Sequence, residues 1–108
     1  SVTESGDNLI LGMKLSPLTK EQKSSLHLKN NISGLMVDEI ATRSSSYRRG
    51  LRRGDAILSA NQQPLENVKT LKEVIEQAKY KRRDSILLLI YRSGGTLLVT
   101  IPIDSGNK

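Results

Sequence analysis

The stretch from Gly50 to Asn61, spelled GLRRGDAILSAN, constrains this chain more than any other: two glycines bracket a basic turn that empties into an apolar, strand-like run. Gly50 can close a short helical turn with positive φ, Leu51 then anchors inward, and Gly54 with Asp55 supplies a second tight turn before the strand. Physics alone reads this as helix, turn, strand. The sequence holds no Cys, Trp or Phe and three Tyr, so the core around that strand is built from Leu, Ile and Val, without disulfides or a thiolate metal site.

At 108 residues the chain has the length of a single domain. Residues 1–8 read as a polar leader or linker, 9–104 as the domain and 105–108 as a tail. No apolar run approaches the ~18 residues of a membrane span, so no membrane insertion is expected, and the polar start does not read as a signal peptide. The net charge is +6, from 17 basic and 11 acidic residues, which favours anionic partners only unspecifically. The basic residues gather in two groups, Arg43 with Arg48, Arg49, Arg52 and Arg53, and Lys79 with Lys81, Arg82 and Arg83. Both are read as solvated surface. A nucleic-acid partner is not expected, because no aromatics interleave with these cations and no RNA-recognition or zinc-finger spelling is present.

Along the chain, Leu9 to Leu15 begins apolar and then alternates, a loop entering a short strand that Pro17 stops. Thr19 with Gln22 spells a capping box for a following helix. Leu35 to Ile40 and Ala56 to Ala60 are strand candidates, with a short helix between them capped in Ser44-Ser45-Ser46. The strongest helix runs from Val68 to Lys79, capped by Asn67. Ile86 to Tyr91 reads as a strand buried on both faces, and Leu97 to Ile103 returns beside it after Ser93-Gly94-Gly95. The sum is an α+β domain: a mostly antiparallel, partly closed sandwich or barrel of about five to six strands, two main helices and one short helix.

Gly-Leu-x-x-Gly-Asp-x-Ile at Gly50 to Ile57, together with Leu11-Gly12-Met13-x-Leu15, Leu18-Thr19, Gly34-Leu35-x-Val37 and the closing hairpin, resembles the PDZ modules of bacterial HtrA/Deg serine proteases. The similarity spans about Leu9 to Asp104 and is greatest to the second, C-terminal PDZ of periplasmic Do-like enzymes. Three places depart from the family spelling. Ser44-Ser45-Ser46-Tyr47 stands for the usual Ser-Pro-Ala-Ala, Asn61-Gln62 for Asn-Gly, and His27 for a helix-ending glycine.

The resemblance implies a module that captures peptide C-termini or exposed apolar segments of unfolded polypeptides as an added strand. It also implies a periplasmic or envelope location, sister PDZ and protease domains in the same parent, a monomeric isolated domain and an oligomeric parent. Residues matching the carboxylate-binding loop are Ile10, Leu11, Gly12 and Met13, and those matching the groove strand are Met13, Lys14 and Leu15. Gly12 suits the loop physically, since a residue without a side chain lets backbone amides converge on an anion. On the long helix, the spacing puts Leu71, Val74 and Ala78 toward the core and Val68, Lys72 and Ile75 on an adjacent face, which the resemblance implies lines the groove together with part of Leu71.

Catalysis is not expected. The one histidine, His27, lies in a Ser-rich helix end, and Tyr91-Arg92-Ser93-Gly94-Gly95 reads as a hairpin turn rather than a nucleophile loop. No cofactor is expected, and scattered carboxylates with one histidine give no metal site. The alternatives to an open HtrA-type groove are a regulatory or assembly PDZ that docks on a sister domain with its groove closed or unused, or a PDZ from another bacterial envelope protease or secretion protein.

Overall fold

The computed structural model describes residues 9–29, 31–92 and 94–103. The expected leader and tail lie outside the described residues. Seven strands form one antiparallel sheet: β1 (Leu9–Ile10), β2 (Met13–Pro17), β3 (Leu35–Ile40), β4 (Ala56–Ala60), β5 (Gln63–Pro64), β6 (Ser85–Arg92) and β7 (Gly95–Pro102). Their spatial order is β1-β2-β3-β4-β6-β7, with β5 paired to β4. Three helices accompany them: α1 (Lys20–Ser25), α2 (Ser45–Arg48) and α3 (Val68–Tyr80). The strand count exceeds the expectation because β1 and β5 are two residues each, too short to carry an alternating pattern.

Local signals place the helices as read. Thr19 accepts from the Gln22 N–H while the Gln22 side chain accepts from the Thr19 N–H, completing the capping box of α1. Ser44 caps α2 and Asn67 caps α3 through their side-chain oxygens. Each helix ends in a left-handed residue: His27 (φ 61°), Gly50 (φ 108°) and Arg82 (φ 61°). Behind each, paired N–H bonds run back into the last turn, as from Leu28 to the Lys23 carbonyl and from His27 to the Ser24 carbonyl. His27 therefore fills the backbone role that the resemblance gives to glycine.

The core gathers Ile10, Met13, Leu35, Val37, Leu51, Ile57, Leu65, Ile86, Leu88, Ile90 and Ile101 against the inner face of α3. That face is Leu71, Val74, Ile75 and Ala78, at i, i+3, i+4 and i+7. One reading is corrected here. β6 is not buried on both faces: Ile86, Leu88 and Ile90 are buried while Leu87, Leu89 and Tyr91 are half-buried. An antiparallel sheet needs only one face covered, and α3 packs on one side.

The Gly50–Asp55 turn is held from below. Asp55, 4% exposed, accepts from the Arg52 N–H at 2.9 Å and from Arg92 Nε at 2.8 Å. Arg92 Nη2 also donates to Asp55 Oδ2 and to the Gly50 carbonyl. Hydrogen bonding to Asp55 raises the Arg92 pKa above its ordinary value. Asp55 is thus a structural carboxylate that fastens the turn to β6.

Candidate functional site

The residues expected to bind a carboxylate form the tip of a two-residue hairpin. Ile10 pairs with Met13 and Leu9 with Lys14, leaving Leu11 (φ 54°) and Gly12 (φ 82°) as the turn. Positive φ at both central residues marks the hairpin turns whose twist suits flanking strands.

Two long-range contacts fix the tip. Ser46 Oγ donates to the Leu11 carbonyl at 2.8 Å, and the Ala41 N–H donates to the Gly12 carbonyl at 2.8 Å. Both carbonyls are drawn toward α2 and the end of β3. Among the described residues no acceptor faces the N–H of Leu11 or Gly12. A half-buried turn with free amides is suited to an anionic ligand group. Ser46 is fully buried and stands where the family spelling has alanine. Its hydroxyl lets this chain anchor the turn by a hydrogen bond that alanine could not make. Ser46→Ala is expected to lower stability by about 1–2 kcal/mol, measured by urea unfolding, and to broaden the Leu11 and Gly12 amide resonances.

Gly12 also meets a steric demand. A Cβ built there would lie 2.3 Å from Ser44 Cβ, so the cap of α2 packs directly on the turn. The tip, α2 and the end of β3 form one rigid corner.

The groove strand carries a feature the sequence did not announce. On one side, Met13 pairs with Ile40 of β3 and Lys14 with Glu39; on the other, Met13 pairs with Ile10 of β1 and Lys14 with Leu9. A strand has two edges, so the β2 edge opposite β3 is covered by β1 at Met13 and Lys14. From Leu15 to Pro17 no second partner is present among the described residues. A bulge at Lys14/Leu15 leaves Asp38 of β3 without a partner in the register and bends the strand there.

Along the other wall, Leu71 is fully buried and Ile75 is 7% exposed. Ile75 therefore lies at the margin of the core stripe, with Val68 half-buried and Lys72 exposed beyond it. Met13 is fully buried and Leu15 half-buried. The structure brings Met13, Leu15, Leu71, Ile75 and Val68 into one apolar cluster. A recess of about 560 Å³ lies between α3 and the β4–β5 turn, one of about 550 Å³ lies along α3 beside Lys72, and one of about 440 Å³ reaches Leu11 from the side of α2 and the end of β7.

For catalysis, the described residues contain no group of three His, Cys, Asp or Glu able to hold a metal. No described helix is long and apolar enough to cross a membrane. Tyr91 and Arg92 end β6, and Gly94 (φ 83°) precedes β7; Ser93 lies outside the described residues.

A family model described as PDZ domain matches residues 3–91. Among curated proteins, the chain is 27% identical over 95 residues to a probable periplasmic serine endoprotease DegP-like of Bartonella henselae, covering 88% of this chain and 18% of that protein. It is 31% identical over 93 residues to a protein of the same description from Pseudomonas putida, covering 86% and 18%. The chain thus spans under a fifth of the length of these relatives. Among solved structures, the HtrA3 PDZ domain bound to a phage-derived ligand (FGRWV) superposes with a TM-score of 0.70 at 26% identity, covering 86% of this chain and 82% of that one. The HtrA-type protease AlgW with a decapeptide gives a TM-score of 0.63 at 26% identity, covering 86% and 28%.

Proposed function

Because the chain belongs to the PDZ domain family, we propose that it is the peptide-capturing module of an HtrA-type serine protease and performs no catalysis itself. It binds C-termini or exposed apolar segments of unfolded polypeptides as a strand added to β2. Ile10 to Met13 receive the terminal carboxylate, Met13 to Leu15 supply the strand, and Val68, Leu71, Lys72 and Ile75 supply the opposite wall. The parent is a periplasmic, oligomeric endopeptidase in which this is the second PDZ, beside its sister domains.

The observation that carries the reading is the tip of the β1–β2 hairpin. Its two carbonyls are held by Ser46 and Ala41, and among the described residues the Leu11 and Gly12 N–H groups have no acceptor. The peptide-bound relatives add support, since their ligands are a pentapeptide and a decapeptide. About four net backbone hydrogen bonds at ~1 kcal/mol each and ~2 kcal/mol for one buried aliphatic side chain must offset several kcal/mol of association cost. The resulting affinity is weak, on the order of micromolar to millimolar. Such a module works best tethered beside another site.

The pairing of β1 with β2 favours a groove that is regulated rather than permanently open. A ligand strand reaching Lys14 must replace Leu9, while Ile10 stays paired with Met13. A chain starting at Ile10 is therefore expected to bind several-fold more tightly, because about 1 kcal/mol of displaced pairing is no longer lost. The test is an NMR titration with FGRWV carrying a free C-terminus. Amides of Leu11 to Leu15 and Val68 to Ile75 are expected to shift, and the amidated peptide is expected to bind at least about tenfold more weakly. Equal binding of both forms would remove the carboxylate role and leave strand addition. No shift in either the whole or the shortened chain would leave the sister-domain docking reading in its place.

A further inference from the structure

Part of the first basic group borders a groove between α2 and the end of β7. One recess, of about 440 Å³, is lined by Leu11, Arg43, Ser44, Ser45, Ile101, Pro102 and Ile103. A second, of about 290 Å³, is lined by Ser45, Arg48, Arg49 and Pro102. Ser45 and Pro102 border both, so the two are continuous along the seam between α2 and the end of β7. Among the described residues, no acidic side chain lines either one.

The arginines along this seam are uncommitted. Arg43, Arg48 and Arg49 are exposed, and none of the three makes an ion pair with a described residue. Arg52, in the same group by sequence, is engaged otherwise. Its guanidinium donates to the Tyr47 and Leu51 carbonyls at 2.8 Å and lies 3.8 Å from the Tyr47 ring centroid. The cations that remain flank a floor of aliphatic side chains, of which Ile101 is fully buried and Ile103 is 6% exposed.

We propose that this seam is a second binding site, for an extended acidic polypeptide segment that places one aliphatic side chain on the Leu11–Ile101–Ile103 floor between Arg43 and the Arg48–Arg49 pair. Charge complementarity selects the acidic partner. Concavity selects a peptide over a membrane surface, because the apolar residues floor a recess instead of protruding. Among the described residues, no aromatic side chain lines the seam, and the nearby Tyr47 ring is covered by Arg52, so the stacking that single-stranded nucleic acid requires has no platform there. A partner here lies beside the back of the Leu11–Gly12 tip. The site goes beyond the peptide groove and does not depend on it.

The test uses fluorescence anisotropy on the whole chain with an acetylated, amidated and labelled pentapeptide, a central Leu flanked on each side by two Glu. Capping both ends keeps a terminal carboxylate out of the measurement. Replacing Arg43, Arg48 and Arg49 together by Ala is expected to weaken binding about tenfold at low salt, and replacing the central Leu by Ser about fivefold. Replacing Lys79, Lys81 and Arg83 by Ala removes the same charge elsewhere and is expected to change binding less than about twofold. Saturating FGRWV is expected to leave the acidic peptide bound, so failure of the groove reading and of this one are distinguishable. Equal losses in the two triple variants would reduce the effect to net charge and overturn the proposal. Indifference to the Leu-to-Ser change, displacement by FGRWV, or tighter binding of a thymidine oligonucleotide or an anionic vesicle through the same three arginines would also overturn it. Arg43→Glu, a single exposed change, repeats the test should the triple variant fold poorly.

Discussion

Gly12→Ala is expected to destabilise the domain by about 2–4 kcal/mol. The added Cβ would stand 2.3 Å from Ser44 Cβ, and neither atom can rotate away because each is fixed to its backbone. Part of the cost, about 1–2 kcal/mol, comes from φ at 82°, which a side chain resists wherever space allows it. The rest is the displacement of α2 from the hairpin tip. In a domain of this size the midpoint of thermal unfolding falls by roughly 10–25 °C. Adding Ser44→Gly separates the two parts. Glycine is tolerated at a helix N-cap at a few tenths of a kcal/mol, so the double variant should recover the steric share and keep the conformational one. Strict additivity of the two substitutions would show that the corner is not closely packed. The FGRWV titration on Gly12→Ala reads the function, since the tip that offers the Leu11 and Gly12 amides has moved.

The second large effect is expected at Asp55. Asp55→Asn keeps the shape and removes the charge, leaving the Arg92 guanidinium without its carboxylate and weakening the bond from the Arg52 N–H. Asp55 is buried, but the Arg92 side chain is 37% exposed, so water compensates part of the loss. The expected cost is about 2 kcal/mol, below that of breaking a fully buried pair. Urea unfolding measures it. Asp55→Asn combined with Arg92→Met should cost less than the two single changes together, because no unpaired charge remains. A loss under about 0.5 kcal/mol in Asp55→Asn would mean that the turn is held by its backbone alone. Peptide binding should survive in the fraction that stays folded, which separates this residue from the groove.

Much of the architecture was legible because its signals are local. The Thr19–Gln22 box, the Asn67 cap and the 3.6-residue spacing of Leu71, Val74 and Ala78 each lie within one or two helical turns, and the structure repeats them. β3 and β4 have the bounds that their apolar runs indicate. The family spelling pointed to the hairpin tip and the long helix as the places where binding is expected. It could not foresee Ser46 as an anchor, since its partner Leu11 is 35 residues away. The same holds for the bond between Arg92 and Asp55, 37 residues apart.

By itself, then, the sequence determined the helices, the main strands, the core composition and the family frame, all of which follow from short-range periodicity, capping and turn chemistry. Tertiary structure alone decided that β1 lies on the β2 edge, that Ile75 falls at the margin of the core, and that Arg43 meets Ile101 and Ile103, and Arg48 and Arg49 meet Pro102, along the seam between α2 and β7. The reason is physical. Two residues carry no periodicity, so whether a strand edge is free depends on the register of the Leu11–Gly12 hairpin. Which side chains share a recess depends on how α2 packs against a strand that lies far along the chain from it, and no local propensity encodes that distance.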